Sequence, residues 1–441
     1  MTSANKFSHV IEETESLCPA CLKVLPATVY EKDGQVYMEK TCPEHGKFDV
    51  YLWPSAERYR WFTGLAFPAT PRTLQTESLS GCPRDCGLCQ AHKRGIVLAE
   101  IEVTWRCNLS CPVCYMSAGE APPDPDMETI AGMLRTIHRF DGDYACLQIS
   151  GGEPTVRADL PDIIALARQT GFTTIELNTN GLAIADDRNF LHTLREAGLT
   201  NVYLQFDGLT PEVTRKLRGA DLLDRKLRAI ENCRTEGMPI ILAPTIVSGI
   251  NDSQLGELIA FAMNNLNMVS GLAIQPAFQS GRFDIERREH LSLGDIAGMI
   301  AEQTDGHIAA HDFWPVGCIH PLCACSTYLM GEGDDYVPVT RELDESDYRT
   351  HFDRTSPQGS FMADVAARMH PGSGSTTGLP ILVMSYMDAW TIDLKRLKEC
   401  NLGVTIADGR TIPFCAYHLT DARGQRLYPL GQRRSATIEC P

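Results

Sequence analysis

Three cysteines spaced C-x3-C-x2-C occur twice within 441 residues, in "GCPRDCGLCQ" (81–90) and in "RCNLSCPVCY" (106–115). This repetition constrains the fold most, because the backbone must bring each set of thiols to one point. The chain has 17 cysteines, and most are grouped: Cys18 and Cys21, then Cys42, then Cys82, Cys86 and Cys89, then Cys107, Cys111 and Cys114, then Cys318, Cys323 and Cys325, then Cys400 and Cys415. The opening residues show no basic region followed by an apolar run, so we read no secretion signal and expect a cytoplasmic protein. In a reducing compartment, grouped thiols are metal ligands rather than disulfides. Cys146 and Cys233 stand alone in a predicted strand and a predicted helix and read as small buried hydrophobes, and Cys440 is given no role.

Residues 18–45 read as a metal ribbon. "CPAC" and "CPEH" flank two short predicted strands that turn at Asp33-Gly34, a strong hairpin signal. The hairpin brings Cys18 and Cys21 near Cys42 and His45. Three sulfurs and one imidazole suit a closed tetrahedral site for one mononuclear metal, zinc first and iron second. Residues 54–80 read as irregular, with "FPATPRT" as a linker.

From residue 99 a rhythm begins. Apolar, strand-like runs occur at 99–104, 145–150, 173–178, 201–206, 239–247 and 271–276, with amphipathic helical patterns between them. In "DLPDIIALARQTG", Asp159 reads as the N-cap, Leu160, Ile163, Ile164 and Ala167 share one face, and Gly171 ends the helix. Six strands alternating with helices imply an α/β parallel sheet with right-handed crossovers. A partial β/α barrel and an open doubly wound sheet both fit this periodicity. The rhythm breaks after about residue 310: an acidic stretch leads to "PGSGSTTG" (371–378), a flexible loop by composition, and then to a helix, a turn at Asp408-Gly409 and a short strand. The net charge of −16 excludes a nucleic-acid partner. The absence of a run of 18 apolar residues excludes a spanning helix and leaves at most peripheral membrane contact.

Context separates the two cysteine triads. Three thiolates can ligate a 4Fe–4S cluster and leave one iron open. Cys107, Cys111 and Cys114 follow the first predicted strand, at the sheet edge where α/β enzymes place their chemistry. "SGGEPT" follows the second strand, "NTNG" the third and "FDG" the fourth. With "PTIVSGIND" (244–252), these motifs resemble the radical S-adenosylmethionine (SAM) superfamily. The resemblance implies a partial (β/α)6 barrel of the TIM type, with SAM chelating the open iron of the 107/111/114 cluster. It also implies that Gly151, Gly152 and Glu153, in the segment ending at Pro154, hold the methionine amino group. Asn178 and Asn180 would lie near the ribose and carboxylate, and Tyr115 and Val247 near the adenine.

The first triad lacks this setting and reads as part of an auxiliary cluster. Cys82, Cys86, Cys89, Cys318, Cys323, Cys325, Cys400 and Cys415 suffice for one or two auxiliary 4Fe–4S clusters, and spacing does not assign them. The order CPAC, CPEHG, GCPxDCGLC, RCNLSCPVC, SGGEPT, VYLQFDG, GCIHPLC and DGRTIPFCAYH spans nearly the whole chain. It resembles the radical SAM group of the tetraether lipid synthase and the 7,8-dihydro-6-hydroxymethylpterin methyltransferases. The expected division is 1–66 for the mononuclear metal module, 67–98 for an auxiliary-cluster segment, 99–310 for the barrel and 311–441 for a C-terminal auxiliary iron–sulfur region.

The expected activity is reductive cleavage of SAM to a 5′-deoxyadenosyl radical. The radical would take hydrogen from an unactivated carbon, for C–C bond formation or methylation on a lipid or pterin-like substrate. A low-potential donor of flavodoxin or ferredoxin type would supply the electron. Two alternatives stand beside it: a peptide-modifying maturase, against which no winged-helix leader-binding segment precedes residue 99, and a non-enzymatic iron–sulfur electron carrier. His320, Tyr417 and His418 lie near cluster cysteines and read as supporting residues ahead of acids or bases.

Overall fold

The computed structural model describes residues 9–67, 74–119, 123–141, 146–285, 289–317, 319–333, 335–352 and 378–429. Cys318, Cys440, the first eight residues and most of the 371–378 loop lie outside the described residues.

The N-terminal ribbon has four strands: β1 (His9–Leu17), β2 (Val24–Lys32), β3 (Gln35–Cys42) and β4 (Gly46–Trp53), antiparallel in that order. Asp33 and Gly34, with φ of +52° and +78°, make the expected β2–β3 turn. The outer strands were not anticipated, because β1 reads "HVIEETESL" and its glutamates hide the period. Such charges are tolerated on an exposed edge strand. Residues 54–80 are not wholly irregular: Ala56–Gly64 is a helix, capped by Ser55, whose hydroxyl accepts from the Arg58 N–H at 3.2 Å. Its Tyr59 and Phe62 pack on Trp53.

All six predicted strands exist: β5 (Leu98–Thr104), β6 (Cys146–Gly151), β7 (Ile175–Thr179), β8 (Asn201–Gln205), β9 (Ile240–Ala243) and β10 (Val269–Pro276). They pair in parallel and in strict chain order. A doubly wound sheet needs a point where the strand order reverses. There is none here, so the sheet winds in one sense and forms a partial barrel that does not close among the described residues. Helix Leu160–Thr170 buries Leu160, Ile163, Ile164 and Ala167 and stops at Gly171, whose φ is +116°. Asp159 stands at the N-cap as expected, but its carboxylate makes no capping hydrogen bond and instead takes two from Arg157, at 2.8 and 2.6 Å.

The C-terminal region extends the sheet at both ends. β11 (Ala324–Glu332) runs antiparallel to β12 (Gly378–Met384), and β12 lies parallel to β10. At the other end β13 (Leu402–Thr405) lies parallel to β5 and turns at Gly409 into β14 (Thr411–Pro413). Ala99, Ile101 and Val103 of β5 are wholly buried on the helix side. Glu100, Glu102 and Thr104 are buried on the inner side, so β5 has no solvent face.

Candidate active site and metal centres

The loop after β5 carries the second triad, and two glycine contacts clamp it. Gly152 N–H donates to Thr104 O at 2.8 Å, and Glu153 N–H donates to Arg106 O at 2.9 Å. A Cβ on Gly151 would stand 2.2 Å from Thr104 O, and one on Gly152 2.2 Å from Arg106 O. Only glycine permits that approach. From the other side Gly281 lies so close that its Cβ would be 2.3 Å from Tyr115 O, while Arg282 Nε donates to Cys111 O at 2.6 Å.

Cys107, Cys111 and Cys114 face one cavity of about 190 Å³. Tyr115, Gly151, Gly152, Glu153, Asn178 and Asn180 also line it. Pro154 and Val247 do not. Pro154 opens the short 3-10 turn Pro154–Val156, and Val247 packs in an apolar cluster with Val113, Val213 and Leu217. Burial pushes the Cys107 thiol up to about 11 and raises Cys111 as well. Three thiols converging on one cavity fit a cluster, whose positive irons would hold them as thiolates. Glu153 is turned inward: it accepts from Thr155 N–H, the Thr155 hydroxyl, the Thr179 hydroxyl and Asn180 N–H at 2.5–3.1 Å. Asn180 in turn donates to Asn108 Oδ1 at 2.7 Å.

Further residues escaped the sequence reading. Arg218 and Asp207 form a buried two-point ion pair, at 2.7 and 2.6 Å, beside Cys111. Lys226 is buried and donates to Gln205 O and Oε1 at 2.8 and 2.7 Å and to Asn180 O at 2.5 Å, tying the ends of β7 and β8 together. Burial holds its ammonium down near 7. Within the sheet Glu100, Gln148, Tyr203, Gln205 and Gln275 line the same cavity. The E-x-E of β5 was the available signal; Gly281 and Arg282 offered none.

The ligand atoms of Cys18, Cys21, Cys42 and His45 lie within 4.8 Å of one another. Burial raises Cys18 to about 11. At Cys42 burial is outweighed by hydrogen bonds from His45 and nearby backbone N–H groups, which bring the thiol down to about 6.

The first triad also converges. Cys82, Cys86 and Cys89 line a small cavity with His92, Leu397 and Lys398. Cys415 is buried and Cys400 half-buried, and Cys323 lies near enough to both to oppose their ionisation. Arg396 Nε donates to Cys323 Sγ at 3.0 Å. Cys325 stands apart in the main apolar core, with Arg58 as its charged neighbour. His320 is half-buried and accepts the Leu322 N–H, and desolvation lowers it to about 3. Tyr417 donates to Glu102 Oε2 at 3.2 Å.

Comparison with known proteins agrees with this geometry. Residues 101–262 match the model of the radical SAM superfamily, and residues 10–54 match that of the HMPTM N-terminal zinc ribbon domain. The 7,8-dihydro-6-hydroxymethylpterin dimethyltransferase of Methanocaldococcus jannaschii is 34% identical over 92% of this chain and 93% of its own length. The chain belongs to the radical SAM superfamily. It is therefore an enzyme that works with a 4Fe–4S cluster and SAM and needs a substrate and a reductant, and the electron-carrier alternative falls. A probable GTP 3′,8-cyclase of Methanothermobacter marburgensis is 29% identical over 58% of this chain and 79% of its own length. Among solved structures, SAM-bound SuiB of Streptococcus suis aligns with a TM-score of 0.41 and 18% identity, over 48% of this chain and 47% of that one. None of the described helices is long and apolar enough to cross a membrane.

Proposed function

We propose that this enzyme methylates a pterin-like substrate by radical chemistry. The observation that carries the reading is the polar inner wall: Glu100, Gln148, Asn178, Tyr203, Gln205 and Gln275 line the cavity that the triad faces. Such a wall suits a hydrogen-bonding ring; an alkyl chain would leave Glu100 Oε1 and Asn178 Oδ1 without a partner. The relative that matches nearly end to end carries a pterin dimethyltransferase name, which supports the same class.

On this reading Cys107, Cys111 and Cys114 hold the SAM-binding cluster. When bound, that group supplies the electron that cleaves SAM and starts hydrogen abstraction from the substrate. Gly151 and Gly152 let the backbone approach the methionine amino group. Glu153 acts by fixing the turn through its inward hydrogen bonds. Asn178 has an unpartnered buried Oδ1 for the ribose or carboxylate. Tyr115 covers the adenine side. Pro154 and Val247 contribute from behind the cavity wall.

Cys82, Cys86 and Cys89 hold one auxiliary 4Fe–4S cluster, and Cys323, Cys400 and Cys415, with Cys318, hold a second. Cys325 is left as a core residue. Cys18, Cys21, Cys42 and His45 hold zinc. The functional units follow 1–66, 67–98, 99–310 and 311–441, in a cytoplasmic protein reduced by a flavodoxin or ferredoxin.

The test uses anaerobically reconstituted protein, a strong reductant and methyl-deuterated SAM, offered a dihydropterin or an isoprenoid lipid. Mass spectrometry should find label in the pterin. Label in the lipid alone would overturn the reading.

A further inference from the structure

Three side chains, of which only Glu100 has a part in the reading above, meet at one point. Glu100 and Glu102 stand two residues apart on the inner face of β5, and His418 follows the short helix Phe414–Tyr417. One ligand atom of each lies within 4.8 Å of the other two. Their exposures are 2%, 3% and 0%. Glu102 Oε2 accepts from the Trp105 indole N–H at 3.0 Å and from the Tyr417 hydroxyl at 3.2 Å. Glu102 Oε1, Glu100 Oε1 and both ring nitrogens of His418 have no hydrogen-bond partner among the described residues. His418 Nε2 stands 3.4 Å from Glu102 Oε1, outside hydrogen-bond geometry.

The surroundings do not relieve this. The rings of Tyr115, Phe414 and Tyr417 pack around His418 with centroids at 4.7, 4.4 and 4.9 Å. Arg426 acts on Glu102 and His418 through its field, while its Nη2 donates to the backbone oxygen of Met116. Buried polar atoms almost always find a partner, and a group of orphans at one point marks a missing bound species. Ionised carboxylates only accept, and a neutral imidazole offers one lone pair, its other nitrogen being a donor, so a positive centre serves both carboxylates and one ring nitrogen of His418.

We infer that Glu100, Glu102 and His418 bind one divalent first-row metal ion. Two oxygens and one imidazole nitrogen suit Mn²⁺, Fe²⁺ or Zn²⁺; thiolate-seeking ions prefer the ribbon. The ion offsets two buried carboxylates that a single arginine does not neutralise. Burial already holds the imidazole neutral, the form that coordinates. Glu100 lines the reaction cavity, so the ion stands in the cavity wall. It is separate from the ribbon and from the cysteine groups. The site does not depend on whether the substrate is a pterin.

The test is a Mn²⁺ titration of the reconstituted, EDTA-dialysed holoenzyme, with free Mn²⁺ read by its electron paramagnetic resonance signal. Wild type should bind one ion per chain more tightly than its acidic surface binds Mn²⁺. Glu102→Gln and His418→Gln should weaken that ion by about tenfold or more. Cys42→Ser, in the ribbon, should leave it in place. Should a variant fail to fold, Mn²⁺-soaked crystals of wild type decide, through an anomalous peak among the three side chains. No tight ion in wild type, equal binding in Glu102→Gln, or a peak elsewhere would overturn the inference and show that the carboxylates are held by protons.

Discussion

The clamp on the triad loop makes Gly152→Ala the sharpest perturbation of this site. The added Cβ would meet Arg106 O at 2.2 Å and Trp105 O at 2.8 Å, where ordinary contact begins at 3.4 Å. The loop or the turn must therefore yield by about 1 Å. Overpacking of this kind costs about 1–3 kcal/mol. Yielding also stretches the bonds from Gly152 to Thr104 and from Glu153 to Arg106, each worth about 0.5–1.5 kcal/mol. The expected loss of stability is about 2–6 kcal/mol, read as a fall in the urea midpoint. A shift of about 1 Å at the cysteines should slow reductive SAM cleavage by about a hundredfold. Gly298→Ala is the control. Its Cβ would meet nothing within 4 Å inside helix Leu293–Gln303, so the variant should gain about 0.5–1 kcal/mol and cleave SAM at the wild-type rate. Should Gly152→Ala keep both its urea midpoint and its cleavage rate within about twofold of wild type, the claim that close backbone approach builds this site is wrong.

Other consequences are independent of that clamp. Lys226 has its folded pKa depressed to about 7 from 10.5, so between those values the unfolded chain holds the extra proton and stability rises with pH. Denaturation at pH 7 and pH 9 should show that rise, up to about 1.4 kcal/mol per pH unit, and Lys226→Met should lose it. Asp207→Asn leaves Arg218 buried without its counter-ion and should cost about 3–5 kcal/mol, whereas Asp207→Asn with Arg218→Met should recover part of that. Cys42→Ser should remove one zinc per chain by elemental analysis and leave the iron content unchanged.

Much of this was legible because barrel strands buried on both faces read as apolar runs of the right length. The six core strands, the Asp33-Gly34 turn and the Gly171 stop each rest on a local rule. What stayed hidden depends on pairing between distant segments. "GLPILVM" and "LGVT" carry no local signal of their partners, so nothing announces that they join β10 and β5 across the sheet. The N-cap position of Asp159 was legible but the use of its carboxylate was not, because a capping bond and an ion pair with a neighbouring arginine compete for it and spacing does not rank them. Glu100 and Glu102 were masked for a related reason: alternation with Ala99, Ile101 and Val103 is what a strand with a solvent face would show.

That hidden pairing also bears on the C-terminal cysteine group. Cys400 lies just before β13 and Cys415 just after β14, and β13 is hydrogen-bonded to β5 with Leu402 opposite Leu98 and Val404 opposite Glu100. β5 leads directly into the loop of Cys107, Cys111 and Cys114. A sheet ladder between neighbours leaves little freedom, so the C-terminal cysteines and the triad are fixed to one edge of one rigid element. The acids Glu100 and Glu102, with His418 reaching back from the same C-terminal segment, lie on that edge. Weakening the β5–β13 pairing should therefore disturb the C-terminal cysteine group and the cavity together. Gly403 is the place to test it, because a Cβ there would stand 2.4 Å from Thr411 Cγ2 and 2.9 Å from Ile96 Cδ1. Gly403→Val should lower both iron content and SAM affinity. Loss of iron with SAM binding intact would mean that the two regions are joined in sequence but not in mechanics.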